Sequence, residues 1–260
     1  MIHHLNCGTF RPVLTGRPFV AHCLLLERPE GLLLVDTGFG TVDVTAPRRL
    51  GGAFRAVMRP RLELTETALS QVRARGWSAQ DVTDIVLTHL DLDHAGGVLD
   101  FPGARVHVTT AELGAARHPR GMEHGRYVPA QIAGADFVTH DPAAADVTDW
   151  FGMRAVAAVG DDVLLVDLAG HSRGHAGVAV RRPDGGWLLH AGDAFFDRAE
   201  IEDPPGCART LRITQRLLAQ DDAARREVRD RLQALATGTP EVRVINAHDA
   251  QLYADCLPTG

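Results

Sequence analysis

The amino-acid sequence predicts an α/β fold in which two sheets pack face to face and helices cover their outer sides, a four-layer αββα sandwich. Three observations predict it. The strand-like apolar runs fall into two sets, and each set is accompanied by helical segments. Every cluster of histidine and aspartate follows a predicted strand, where a sheet scaffold places its chemistry. The chain has 260 residues, 45% of them hydrophobic, which suffices for a large core. We expect a single domain over residues 1–260.

The first set of strands lies in the N-terminal part of the chain. The apolar runs AHCLLLE and GLLLVDTG are separated by RPEG, a turn signal. Residues 42–64 show no clear period and are expected to be a surface insertion. LTETALSQVRARGW is typical of a helix, with Thr65 as N-cap and Gly76 at its end. Residues 85–88 form a predicted buried strand, and a helix is expected to begin at Ala95.

The second set follows the middle of the chain. ARVHVTT predicts a strand and AELGAAR a short helix. Further strands are predicted within DDVLLVDLAG, GVAVRRPDGGWLLHAGD and EVRVINAHD. Residues 209–236 are predicted to be helical, with Asp221 or Asp222 capping a second segment.

Residues 114–140, rich in His, Gly and Pro, carry no period. Surface loops are the ordinary interpretation of such a stretch. The alternative is a lid over the site, with Arg126 and Tyr127 touching the substrate.

Charge and composition argue against several classes of function. A net charge of −6 gives no electrostatic reason to expect a nucleic-acid partner or an anionic membrane. No apolar run approaches the roughly 18 residues of a membrane-spanning helix, and the N-terminus lacks the layout of a signal peptide. We therefore expect a cytoplasmic protein with a small-molecule substrate and four reduced cysteines. Its oligomeric state is left open.

The stretch THLDLDHAGG places His89, Asp91, Asp93 and His94 within six residues. In an extended segment, alternate residues share a face, so the first three side chains can converge, and His94 turns in after them. Two carboxylates this close repel each other unless a cation or a proton lies between them. A divalent metal satisfies the set, because imidazole and carboxylate both bind zinc, iron and manganese.

Three later segments add candidate ligands at strand ends. AGHSRGHAG offers His171 and His175, HAGDAFF offers Asp193, and NAHDAQ offers His248. Each lies beside a small residue, which lets the backbone approach closely. We expect His175 to brace its loop rather than to bind a metal.

In their order and spacing these motifs resemble the metallo-β-lactamase superfamily, the αββα metallohydrolases. The resemblance runs from about residue 20 to residue 250, and VDTG at residues 35–38 also fits it. It implies two divalent metal ions, with zinc expected and iron or manganese as alternatives, and it implies that Asp36 braces the ligand loops. The first ion would be held by His89, Asp91 and His171, the second by Asp93, His94 and His248, and Asp193 would bridge both.

The implied chemistry is hydrolysis. A hydroxide between the metals would attack the carbonyl of an ester, lactone or thioester, and the metals would stabilise the oxyanion. Asp93 would pass the proton to the leaving group. Phosphodiester cleavage is disfavoured by the absence of a basic groove.

Two residues depart from the family pattern. Asp91 stands where the family usually has histidine, so three carboxylates against two divalent ions leave one positive charge instead of two, and a less positive site acidifies water less. A carboxylate also suits iron and manganese, so the alternative function is a di-iron oxygenase or oxidoreductase on the same fold. Phe196 stands where homoserine-lactone-cleaving members have a tyrosine that contacts the substrate carbonyl, and phenylalanine cannot donate a hydrogen bond.

Overall fold

Two six-stranded sheets face each other and carry helices on their outer sides. This arrangement is seen in a computed structural model that describes residues 1–144 and 148–257. It confirms the predicted αββα sandwich. The prediction of a single domain over residues 1–260 stays a prediction.

The first sheet has the strand order β1-β2-β3-β4-β5-β6. Strands β1 to β3 pair antiparallel, and β3 to β6 pair parallel. The strands are β1 (Ile2–Phe10), β2 (Phe19–Arg28), β3 (Gly31–Val35), β4 (Val82–Val86), β5 (Arg105–Thr109) and β6 (Asp136–His140).

The second sheet has the order β12-β11-β10-β9-β8-β7. Its strands pair antiparallel except for β11 and β12, which run parallel. The strands are β7 (Thr148–Trp150), β8 (Met153–Ala158), β9 (Val163–Asp167), β10 (Ala176–Arg181), β11 (Trp187–His190) and β12 (Val242–Ile245).

Eight α-helices are found in the described ranges. They are α1 (Thr41–Thr45), α2 (Gly52–Met58), α3 (Ala68–Ala74), α4 (Thr110–Arg117), α5 (Pro129–Ile132), α6 (Arg209–Leu218), α7 (Asp222–Gly238) and α8 (Ala250–Ala254). None of the described helices has the length and apolar character needed to cross a membrane.

Strands β2 and β3 are buried on both faces, which explains why their sequences read as continuous apolar runs. Because side chains alternate along a strand, each face enters a different core. Leu24 packs in the cluster between the sheets, together with Val178 of β10. Leu25 packs in the cluster under the outer helices, together with Val72 of α3. The two cores therefore fix the order of the layers.

Main-chain hydrogen bonds tie the strand-end loops of the two sheets together. The Ala176 N–H, at the start of β10, donates to the Thr88 carbonyl after β4 at 2.8 Å. The Ala247 carbonyl after β12 accepts a hydrogen bond from the His22 N–H of β2 at 2.9 Å. The loops that carry the histidines and aspartates are thus held at one edge.

The N-cap predicted for α3 was wrong by two residues. Thr65 lies in a 3₁₀ turn, Leu64–Glu66, and the helix begins at Ala68. Thr67 is the N-cap, because its hydroxyl accepts a hydrogen bond from the Ser70 N–H at 3.2 Å. Gly76 follows the helix end as predicted, with a φ of 89°.

The helix predicted to begin at Ala95 is absent from this described region, which holds only a 3₁₀ turn, Val98–Asp100. Instead of a helix, Gly96 and Gly97 form a turn that closely approaches the backbone of residues 37–40. Here tertiary contact outweighs local preference, and glycine makes the helix costly.

Two stretches expected to be irregular contain regular structure. Residues 42–64 hold α2 and most of α1, and Asp43 in α1 is buried. Its carboxylate accepts hydrogen bonds from the Gly40 N–H at 2.9 Å and from Gln131 at 3.0 Å. Residues 114–140 include α5 and β6. The second helical segment begins as predicted, since Asp221 caps α7.

Gly40 provides a test of how tightly the ligand loop is packed. A Cβ atom there would lie 2.1 Å from the Gly96 carbonyl oxygen, whereas one at Gly52 would meet nothing within 4 Å. We expect Gly40→Ala to lower the free energy of unfolding by about 1–3 kcal/mol, because backbone cannot move aside. Gly52→Ala, the matched control, is expected to change it by less than about 1 kcal/mol. Urea unfolding of both variants measures this, and equal midpoints would contradict it.

Candidate metal centre

The seven predicted ligand residues meet at the common edge of the two sheets. They form two groups, and within each group one nitrogen or oxygen atom of every residue lies within 4.8 Å of the others. The first group is His89, Asp91, His171 and Asp193, and the second is Asp93, His94 and His248.

Asp193, which follows β11, lies between the two groups. Its Oδ2 is 3.3 Å from His171 Nε2 and 3.8 Å from His89 Nε2. Its Oδ1 is 3.3 Å from His94 Nε2 and 3.0 Å from His248 Nε2. Burial acts to raise the pKa of Asp193, but the imidazoles of His248 and His94 hold it well below its usual value. Oδ1 therefore faces the second group, whereas Oδ2 lies near both groups, since it is also 3.1 Å from His248 Nε2.

Several polar atoms of these groups are buried without a hydrogen-bond partner among the described residues. They include His89 Nε2, His94 Nε2, Asp91 Oδ1 and Asp193 Oδ1. Buried polar atoms are normally paired, because leaving them unpaired is costly. Divalent cations would satisfy these atoms, and the mixed set of imidazole nitrogens and carboxylate oxygens suits zinc, iron or manganese. The residues thus fit a metal centre.

Hydrogen bonds behind the ligands set the imidazole tautomers. Asp36 Oδ2 lies 2.9 Å from His94 Nδ1, so that nitrogen donates its proton. The Thr88 hydroxyl donates to Asp36 at 2.8 Å, which leaves it as acceptor for His89 Nδ1 at 2.9 Å. When these two rings are neutral, Nε2 therefore carries the lone pair that a metal would bind. Burial acts to raise the pKa of Asp36, but the His94 imidazole holds it below its usual value.

His175 braces Asp193 as predicted. Its Nε2 accepts a hydrogen bond from the Asp193 N–H at 2.9 Å, and its Nδ1 donates to the Leu168 carbonyl at 3.1 Å. Burial lowers its pKa to about 4, so the ring is neutral at pH 7. Because both nitrogens are used by the backbone, neither is free for a metal.

His248 is held by aromatic rings. It stacks on Phe19, with centroids 5.4 Å apart at 15°, and meets the edges of Phe196 and Phe10. Its Nδ1 donates to the Val20 carbonyl at 2.9 Å. Nε2 is thereby left to face the other ligands.

Glu112 is a residue that the sequence analysis missed. It is fully buried in α4, and its Oε1 accepts hydrogen bonds from the Leu90 N–H at 3.0 Å and the Tyr127 hydroxyl at 3.1 Å. Its Oε2 accepts from the Ser172 hydroxyl at 2.6 Å and the Gly174 N–H at 3.1 Å. Glu112 therefore joins two ligand-bearing loops.

Arg126 corrects the charge count made from the sequence. Its Nη1 lies 3.2 Å from Asp91 Oδ2 and donates to the His171 carbonyl at 3.1 Å. Burial acts to raise the pKa of Asp91, but the Arg126 guanidinium holds it below its usual value. The positive charge that Asp91 was expected to remove from the site is restored by this neighbour.

The segment around Arg126 borders the site and is anchored to it. Glu123 forms a two-pronged ion pair with Arg173, at 2.7 and 3.0 Å. Arg126 lines the cavity above the ligands, whereas the Tyr127 hydroxyl is bound to Glu112. The proposed substrate contact therefore fits Arg126 and not the hydroxyl of Tyr127.

The ligands open onto a cavity of about 360 Å³. Its polar lining includes Asp91, Asp93, His171, Asp193 and His248, together with Arg126. Its apolar walls include Phe19, Phe54, Met58, Phe196, Leu217 and Leu218. The cavity can thus bind a molecule that has an apolar portion beside a polar reacting group.

A third group of ligand-type side chains, His4, His22 and Cys256, lies outside the predicted set. His4 Nδ1 and His22 Nε2 hydrogen-bond to each other at 2.8 Å. Arg243 donates to the Cys256 sulfur at 3.2 Å. The positive charge of this guanidinium disfavours a metal cation at the same place. We therefore interpret the group as a hydrogen-bonded cluster and not as a metal site.

Comparison with known proteins finds relatives named as a probable metallo-hydrolase and as lactonases. The chain is 40% identical over 257 residues to a probable metallo-hydrolase of Mycobacterium tuberculosis, covering 97% of this chain and 81% of the relative. It is 31% identical over 173 residues to an N-acyl homoserine lactonase of Azorhizobium caulinodans, covering 66% and 64%.

Solved structures show the same fold. The structure of an N-acyl homoserine lactone hydrolase, with the product N-hexanoyl-L-homoserine bound at its catalytic metal centre, superposes with a TM-score of 0.74. It covers 98% of this chain and 96% of its own at 21% identity.

The family model described as the metallo-beta-lactamase superfamily matches residues 16–248. The match covers every strand except β1 and ends on the last of the predicted ligands. The chain therefore belongs to the metallo-β-lactamase superfamily, as its motifs predicted.

Proposed function

We propose that this protein is a hydrolase with a two-metal site that cleaves an ester, lactone or thioester bearing an apolar group. The observation that carries the proposal is that Asp193 lies within 3.3 Å of candidate ligands of both groups, beside a cavity with apolar walls. The first ion would be held by His89, Asp91 and His171, the second by Asp93, His94 and His248, and Asp193 would contact both.

Two divalent ions bound there, with zinc expected, would supply an acidified water and a positive centre for the carbonyl oxygen. The chain's own residues do the rest. The apolar walls bind and orient the hydrocarbon part of the substrate and exclude bulk water. The carboxylate of Asp93 lines the same cavity, so it is placed to pass a proton to the leaving group.

Relatives named N-acyl homoserine lactonase support a lactone within this class. Phe196 lines the cavity without a hydrogen-bond donor, so the carbonyl must be polarised by other groups. The di-iron oxygenase or oxidoreductase rested on the carboxylate of Asp91, a ligand that suits iron. Arg126 offsets the charge of that carboxylate but leaves its oxygen as a donor, so this function stays the alternative. A cytoplasmic location and the absence of nucleic-acid partners stay predictions.

The ligand roles are tested by two alanine variants. We expect Asp193→Ala to reduce bound zinc from two ions per chain to one or none, because it removes the carboxylate that faces both groups. His175→Ala is the matched control, since it removes a buried imidazole whose nitrogens bind backbone. It should keep both ions while losing about 1–3 kcal/mol of stability. Metal analysis after dialysis and urea unfolding measure these effects, and equal metal loss in both variants would overturn the assignment.

The substrate class is tested with 4-nitrophenyl esters and γ-lactones of increasing chain length, and with bis(4-nitrophenyl) phosphate for comparison. We expect carbonyl substrates to be hydrolysed, with activity lost on chelation and restored by zinc. Each buried methylene contributes about 0.8 kcal/mol, or roughly fourfold, so kcat/KM should rise with chain length. Cleavage of the phosphodiester alone would refute the proposal.

The apolar walls are tested by Leu217→Ala. This side chain lines the cavity and is 60% exposed, so folding should tolerate the change. We expect kcat/KM to fall about two- to tenfold for long-chain substrates and to stay unchanged for short ones. Leu64→Ala, also an exposed leucine but not among the residues lining this cavity, is the control. A uniform loss over all chain lengths would show that Leu217 does not contact the apolar chain.

A further inference from the structure

We propose that Arg126 and Asp91 act as one unit that replaces the neutral histidine usual at this position in the family. In this unit the guanidinium balances the charge of the carboxylate and fixes its orientation towards the first ligand group. The inference rests on the proposed function, because it requires a metal to bind there.

The contacts of Asp91 show why its orientation needs a partner. Its Oδ2 lies 3.2 Å from Arg126 Nη1, 3.2 Å from His171 Nε2 and 3.4 Å from His89 Nε2. Its Oδ1 is buried without a hydrogen-bond partner in the described part of the chain. Arg126 is thus the cation that holds one oxygen of Asp91 while the other stays free.

Arg126 is itself fixed from two further directions. Nη1 donates to the His171 carbonyl at 3.1 Å, and Nη2 donates to the Leu218 carbonyl at the end of α6. Its side chain is only 11% exposed. A planar guanidinium can serve these acceptors and Asp91 together, whereas the single ammonium of lysine cannot. The guanidinium is therefore already in place where the carboxylate needs it.

The charges of the two residues depend on each other. Among the described residues, Asp91 is the carboxylate in ion-pair contact with Arg126. A buried cation without its partner is strongly unfavourable, and a bound metal would add a second positive charge beside it. Taken together, the pair is neutral, as histidine would be. Replacing only one member should therefore disturb metal binding more than replacing both.

The test is a cycle of four proteins: the wild type, Asp91→His, Arg126→Gln and the double variant. Each is stripped of metal and titrated with Zn²⁺ against a chromophoric chelator, which gives zinc affinity without any assay of activity. We expect Arg126→Gln to weaken zinc binding about tenfold when Asp91 is present, the usual loss for a residue that orients a ligand. In the Asp91→His background the same change should strengthen binding about tenfold, because it removes an unpaired cation.

Two controls separate charge from shape. Asp91→His/Arg126→Lys shortens the side chain but keeps the cation, so it should not recover zinc affinity. Asp91→His/Arg17→Gln removes an arginine that is paired with Asp197 and 65% exposed. Its zinc affinity should equal that of Asp91→His alone. Recovery in either control would overturn the inference. So would weakening by Arg126→Gln in both backgrounds, since that marks a purely structural residue.

The outcome also distinguishes this inference from the proposed function. If Asp91→His does not fold by circular dichroism, Asp91→Asn takes its place in the same cycle. If the wild type binds two zinc ions but hydrolyses none of the esters or lactones, only the proposed function fails, and the cycle still decides the inference. If the wild type binds no zinc, both fail.

Discussion

The buried carboxylate of Asp36 is the interaction on which the ligand geometry depends. It accepts hydrogen bonds from the Thr88 N–H, the Thr88 hydroxyl and His94. A charge can be buried this deeply only when hydrogen bonds of this kind replace its water. Through Thr88 the same carboxylate orients His89, and the Thr88 carbonyl in turn receives the N–H of Ala176 from the second sheet. One side chain at the end of β3 thereby aligns loops from both sheets.

Glu112 has the corresponding role on α4. Its two oxygens bind the main chain and side chains of the loops after β4 and β9, so it restrains His89 and His171 without facing the cavity. Burial raises its pKa, and the hydrogen bonds from Ser172 and Leu90 oppose that rise. Asp36 and Glu112, two buried acids behind the ligands, therefore hold the ligand loops in place. This is how unpaired nitrogens and oxygens of the ligands can face one another in a folded chain.

The layers and the meeting of the ligand residues at one edge could be predicted from the sequence. Both follow from the order of the strands along the chain and from the alternation of side chains at their ends. The sequence could not reveal the role of Glu112. Thr109 and Glu112 have the spacing of an ordinary helix-capping motif, and Thr109 does cap α4 by accepting a hydrogen bond from the Glu112 N–H. The ion pair of Arg126 was equally hidden, because the surrounding stretch has no period and its partner is distant in sequence. The helix expected at Ala95 failed for the same reason, a contact between distant backbones.

The residues of the two ligand groups are also completed at different times during synthesis of the chain. The first group ends with Asp193, but the second requires His248, whose ring is fixed by the carbonyl of Val20, 228 residues earlier. Contacts of such long separation form late, because the closure of a long loop must precede them. Synthesis at about 5–20 residues per second leaves an interval of several seconds between these two ligands. During that interval the chain contains every residue of the first group but lacks both His248 and β12, the strand that pairs with β11 beside Asp193, so the two groups can be completed only together with the second sheet.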